Sequence, residues 1–148
     1  MSENPADKRL PRLFVIDDNP DITEIIETVA QEVGFEVRCV NDHKLIRSTY
    51  LGFEPHVIFL DLDLGLDDDM DMSERGYDGL TVFKFLHEQG SDARIVLISG
   101  MDQEKRRVTR NIGREMGLSV IGSIPKPFSI GKIEQLLMQM KPAGSSLD

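Results

Sequence analysis

The sequence predicts an α/β domain, a parallel sheet covered by helices on both faces. Three observations carry this. Apolar runs alternate with helical patterns five times along the chain, which is how successive βαβ units read in a sequence. Two of the runs, Val57 to Leu60 and Ile95 to Ile98, are nearly continuous aliphatic and β-branched stretches, as expected of strands buried on both faces. The 148 residues are 40% hydrophobic and 29% charged, which suits one globular domain and leaves little room for a second of roughly 60 residues.

The elements follow in order. The first strand, Leu13 to Ile16, leads to Asn19 and Pro20, a helix cap followed by the residue favoured at the first helical position. Ile22, Ile25, Ile26, Val29 and Val33 then make an apolar stripe that Gly34 ends. The second strand, Glu36 to Val40, carries the chain's one cysteine, Cys39. It is expected to pack in the core, and a lone cysteine fits a reducing compartment. A weaker helix covers about Lys44 to Tyr50, and the third strand is Val57 to Leu60. The third helix is expected from about Asp78, its cap, through Leu80, Phe83 and Leu86 to Gly90. After the strand Ile95 to Ile98, the fourth helix spans about Glu104 to Met116 with a thin apolar face of Val108, Ile112 and Met116. The fifth strand is Val120 to Ile124, and the last helix starts after Ser129 and buries Ile130, Ile133, Leu137 and Met140. Residues 1–10 and 142–148 read as tails around a domain at 11–141.

The formal net charge is −9. A surface this acidic repels nucleic acid and anionic membrane, so neither is an expected partner. The first residues are polar with no apolar core of a secretory signal, and no apolar run is long enough to span a bilayer. A cytoplasmic location is expected. The charge is uneven, with Asp67, Asp68, Asp69, Asp71 and Glu74 in one stretch and Lys105, Arg106, Arg107, Arg110 and Arg114 in another. On the fourth helix Arg106 and Arg110 share a stripe at i, i+4 spacing. This basic face is expected to dock an acidic downstream protein or a second copy of the domain.

Five polar residues fall at the carboxyl ends of strands, the edge where open α/β sheets bind ligands. Asp17 and Asp18 follow the first strand, Asp61 the third, Ser99 the fourth and Lys126 the fifth. One aspartate after a strand is commonly a turn or cap residue, but five such groups on one edge point to a site. The chemistry that needs them is phosphoryl transfer to a carboxylate. Three carboxylates repel one another until a hard divalent ion joins them, and Mg²⁺ suits oxygen ligands while keeping exchangeable waters. Asp61 would be the nucleophile. Lys126, the Ser99 hydroxyl and nearby backbone N–H groups would take the charge that builds on the phosphoryl oxygens. Gly100 would leave room for that group to approach.

Over residues 11–141 the chain resembles the response-regulator receiver family. The matching motifs are LFVIDDNPD (13–21), VIFLDLDL (57–64), DGL (78–80), RIVLISG (94–100) and KPF (126–128). The resemblance implies a flavodoxin-like sheet in strand order 2-1-3-4-5, with Asp61 as phosphoacceptor and Asp17 and Asp18 as the acidic pair. Ser99 would be the family's hydroxyl and Lys126 its lysine, and the backbone carbonyl of Asp63 would complete the Mg²⁺ shell. It further implies a histidine kinase or phosphotransfer protein as donor, an output face on the fourth and fifth helices, and a likeness to chemotaxis-type single-domain receivers. The Lys126–Pro127 bond is expected to be cis. The stretch Gly117 to Gly122 resembles receivers attached to cyclic-di-GMP phosphodiesterase outputs. Two departures stand out. Asp78-Gly79 lies about ten residues later than in the family, so the acidic stretch 65–76 reads as an insertion in an unusually long loop. Ser123 stands where the family usually carries an aromatic residue that reports phosphorylation.

Two other functions compete. A haloacid-dehalogenase-like phosphatase would use Asp61 and Asp63 with Ser99 and Lys126, yet its second acidic pair should follow the lysine, where only Glu134 and Asp148 occur. A receiver that binds partners without phosphorylation is the other. A calcium loop starting at Asp61 fails, since its twelfth position is Met72 rather than a bidentate glutamate.

Overall fold

The structure is a computed structural model, and it describes residues 10–63 and 79–141. Five parallel strands make one sheet: β1 (Arg12–Ile16), β2 (Glu36–Val40), β3 (Val57–Asp61), β4 (Arg94–Ser99) and β5 (Ser119–Pro125), in the order β2-β1-β3-β4-β5. Five helices join them: α1 (Pro20–Val33), α2 (Ile46–Phe53), α3 (Gly79–Glu88), α4 (Gln103–Glu115) and α5 (Ile130–Met140). The flavodoxin-like expectation is met. Asp78, the 65–76 stretch and, apart from Leu10, both tails lie outside the described residues. Among the described residues no helix is long and apolar enough to cross a membrane.

Strand alternation divides the core in two. Phe14, Ile16, Ile58, Leu60, Ile95 and Leu97 pack with residues of α2 and α3 on one face. Leu13, Val15, Val57, Phe59, Val96 and Ile98 pack with residues of α1 and α5 on the other. The three central strands β1, β3 and β4 therefore bury nearly all their side chains, and at their carboxyl edge polar residues take over. There β1 passes into Asp17, and β3 and β4 end at Asp61 and Ser99.

Helix α1 starts as the sequence indicates, with the Asn19 side chain accepting from Asp21 N and Pro20 at the first position. Its buried face is centred on Ile26, with Thr23, Val29 and Ala30. Ile25, one residue's rotation of about 100° away, is exposed instead. Ile130, the first residue of α5, is likewise exposed, a turn ahead of the first core contact at Ile133. The second helix begins later than expected, because Asp42 caps a short 3-10 turn at His43–Leu45 before α2 opens at Ile46.

Helix α4 is anchored by a glycine. A Cβ on Gly113 would lie 2.7 Å from Val120 Cγ2 and 3.0 Å from the Phe83 ring, so the helix backbone rests directly on β5 and α3. Gly113→Val is therefore expected to cost about 1–3 kcal/mol through overpacking, measured as a lower urea midpoint with an unchanged slope. A midpoint equal to that of the parent would show that α4 is free to lift.

Candidate functional site

The carboxyl edge brings all five predicted groups together. Asp17 is held from three sides. Its N–H donates to the Val40 carbonyl, its carbonyl accepts from Asn41 Nδ2 at 2.9 Å, and its Oδ1 accepts from Asn19 N at 2.9 Å. Asn41 also donates to Thr23 Oγ1, tying β2 to α1 beneath the aspartate. It is a positioning residue that motif reading passed over; its one signal was a polar residue at the carboxyl end of a strand. Asp18 is exposed beside it. Carboxylate oxygens of Asp17, Asp18 and Asp61 lie within 4.8 Å of one another.

Asp61 closes β3 and is fully buried. Its Oδ1 accepts from Asp63 N at 2.9 Å and lies 3.2 Å from Lys126 Nζ. Lys126 is tied to the end of β4 by its N–H, which donates to the Ser99 carbonyl at 2.8 Å. The Lys126–Pro127 bond is cis, as expected. The ammonium also lies 3.6 Å from Asp17 Oδ2 and 3.8 Å from Asp63 Oδ2. One lysine thus faces three carboxylates.

The electrostatics follow from burial. Desolvation pushes the Asp61 carboxyl up to about 7, against the lowering effect of the Asp63 N–H, and the Asp17 charge adds to the rise. Desolvation raises Asp17 as well. Burial works against the Lys126 ammonium, but the charges of Asp61 and Asp17 outweigh it and raise its pKa. Among the described residues, the buried Asp17 Oδ2 and Asp61 Oδ2 have no hydrogen-bond partner. Two orphaned anionic oxygens beside a third carboxylate are a hard-oxygen donor set that a divalent cation such as Mg²⁺ fits.

Ser99 is fully buried, and its Oγ accepts from Met101 N at 2.8 Å. Its hydroxyl and the Gly100 N–H both point at the Asp63 carboxylate, at 3.3 Å to Oδ1 and 2.9 Å to Oδ2. The space above Gly100 is thus lined by Asp63, to whose side chain the receiver resemblance assigns no role.

The outlying residues behave differently. Cys39 is half-buried near the Thr23 carbonyl, and burial pushes its thiol up to about 12, which fits packing rather than reactivity. On α4, Arg106 donates to the Met101 carbonyl, Arg114 to the Val120 carbonyl, and Arg107 pairs with Glu104. Much of the basic face is therefore committed to the domain's own backbone and its own acid. Ser123 is half-buried opposite Leu97 on β5.

A doubly wound parallel sheet with an acidic pair, a buried aspartate, a hydroxyl and a lysine on one edge defines a phosphoacceptor class of signalling domain. Residues 13–138 match the response regulator receiver domain family, and the chain belongs to it. It is 27% identical over 144 residues to the transcriptional regulatory protein AruR of Pseudomonas aeruginosa, covering 93% of this chain and 53% of that protein. It is 24% identical over 146 residues to the transcriptional regulatory protein BaeR of Escherichia coli, covering 96% and 54%. The chain spans about half the length of these curated relatives. A response regulator from Colwellia psychrerythraea has the same fold at a TM-score of 0.71, with 24% identity over 94% of this chain and 99% of that one. The chemotaxis protein CheY4 of Vibrio cholerae superposes at 0.68, with 17% identity over 88% and 98%. Receiver domains are regulatory domains of two-component signalling and bind Mg²⁺ at an acidic pocket.

Proposed function

We propose that the chain is a phosphorylation-dependent switch that takes a phosphoryl group on Asp61 from a histidine kinase or phosphotransfer protein of the cytoplasm. The observation that carries this is the buried Asp61 carboxylate, with one oxygen on Lys126 and the other without a hydrogen-bond partner among the described residues, beside the Asp17–Asp18 pair.

Asp61 is the nucleophile. It attacks phosphorus in line, the bond from phosphorus to the donor's nitrogen or oxygen breaks, and an acyl phosphate is left on Asp61. The Lys126 ammonium pairs with one phosphoryl oxygen, and the Ser99 hydroxyl and Gly100 N–H donate to another. Asp17, Asp18, Asp61 and the Asp63 backbone carbonyl would hold Mg²⁺, which supplies the positive charge that lets carboxylates and phosphoryl oxygens share the pocket. Downstream, the α4 to α5 face would meet a partner protein or a second copy.

Acetyl phosphate with Mg²⁺ is expected to raise the intact mass by one phosphoryl group, with no gain in chelator or in Asp61→Asn. Labelling that persists in Asp61→Asn would reassign the acceptor. No labelling under any condition would favour a receiver that binds partners without phosphorylation. With p-nitrophenyl phosphate only slow loss of the Asp61 phosphoryl group is expected. Steady turnover near one per second, an ordinary enzyme rate, would favour a phosphatase.

A further inference from the structure

The donors that should receive the phosphoryl group already have an occupant. Ser99 Oγ and Gly100 N at the end of β4 and Lys126 Nζ just after β5 all face the Asp63 carboxylate, at 3.3, 2.9 and 3.8 Å. Asp63 is also fastened at its own backbone, where its N–H donates to Asp61 Oδ1 at 2.9 Å. A carboxylate carries two anionic oxygens about as far apart as two oxygens of a phosphoryl group, so it satisfies the same fork of donors. It sits two residues from the nucleophile, in the space the phosphoryl oxygens need.

We propose that the Asp63 side chain is an internal occupant of the phosphoryl cradle, a brake that must swing out before Asp61 can be phosphorylated. This rests on Asp61 being the acceptor. The brake works by population. If the cradle is open only a fraction of the time, every phosphodonor and phosphoryl mimic sees its apparent affinity reduced by that fraction. Phosphorylation then becomes an exchange of one anion for another on the same donors. The hydroxyl of Ser99 keeps an acceptor throughout, and the side chain that changes place is Asp63. Such an exchange gives the domain a moving part in a chain whose Ser123 is too small to serve as one.

The test uses the full chain and two variants, Asp63→Ala and Asp63→Asn. Asparagine keeps the size, but its NH₂ cannot accept, so it cannot satisfy both Ser99 O–H and Gly100 N–H. At saturating Mg²⁺ for each protein, both variants are expected to be labelled by acetyl phosphate about three- to tenfold faster, matching a cradle that is closed most of the time. Beryllofluoride should bind more tightly by a similar factor. The gain should persist from 0.05 to 0.5 M salt, because a lost hydrogen-bonded occupant is not screened as long-range repulsion of the donor is. The Gly100 amide proton, which loses a carboxylate acceptor, should move upfield in both variants without any phosphodonor. Labelling of Asp61 at an unchanged or slower rate, a gain that vanishes in high salt, or an unmoved Gly100 amide each overturns the brake. If Asp61 is unlabelled in the parent and in both variants while the Gly100 shift occurs, the contact is real but the acceptor assignment fails, and the brake fails with it.

Discussion

Metal-free Asp61→Asn is expected to be more stable than the parent at pH 8 by about 2–4 kcal/mol, and no more stable at pH 4. The reasoning is linkage. An unfolded aspartate ionises near 3.8, whereas burial holds the folded Asp61 carboxyl protonated up to about 7. Between those values the folded state binds more protons than the unfolded one, so stability falls as pH rises. The penalty is absent below the lower value and complete above the higher. At about 1.4 kcal/mol per pH unit the three-unit gap sets a ceiling near 4 kcal/mol. Asparagine removes the penalty, because it carries no charge to desolvate. For a domain of this size the gain is about 5–15 °C in Tm. Mg²⁺ should reverse the ranking, since it stabilises only the protein that binds it. A variant less stable than the parent at pH 8 would show that Asp61 ionises at little cost.

The same burial explains what the sequence could and could not convey. β3 and β4 were legible as apolar runs from Val57 and Ile95, but each extends one residue further, to Asp61 and Ser99. A polar residue ends an apolar pattern even where the backbone ladder continues, and here those terminal residues are the site. Asp17, Asp18, Asp61, Ser99 and Lys126 could be placed together because a parallel sheet delivers every strand's end to one edge. The side chain of Asp63 could not. Its partners lie 36, 37 and 63 residues away in sequence, on other strands, and nothing local marks which way it turns. The start of α2 failed for a different reason. Lys44 and Leu45 carry no helical periodicity, and a 3-10 turn capped by Asp42 has no strong sequence signature. On α4 the basic cluster was visible, but not that Arg106 and Arg114 spend their charge on backbone carbonyls.

Lys126 separates holding the site together from performing its chemistry. The folded protein raises the lysine's pKa above its ordinary value, so its stabilising contribution is present below about 10.5 and is lost only as pH passes the higher folded value. Lys126→Met at pH 8 without metal leaves Asp17 and Asp61 facing each other with no counter-charge. The loss is expected to be about 1–3 kcal/mol, below the 3–5 of a fully buried pair, because the lysine side chain is 22% exposed. It should shrink on acidification to pH 4, where Asp61 holds its proton. Mg²⁺ affinity should rise about tenfold or more, since a positive charge 3.2 Å from the ligand carboxylate competes with the ion. Phosphorylation by acetyl phosphate should nonetheless fall by about a hundredfold, the usual effect of removing one charge-stabilising donor. The opposed signs are what make the measurement informative. A lysine that merely props the fold would lose metal binding and phosphorylation together. One that balances carboxylates at rest and pairs with the phosphoryl group during transfer gains the first and loses the second. Isothermal titration with Mg²⁺ beside a labelling time course reads both on the same protein, and a fall in Mg²⁺ affinity would place the ammonium outside the charge balance of the pocket.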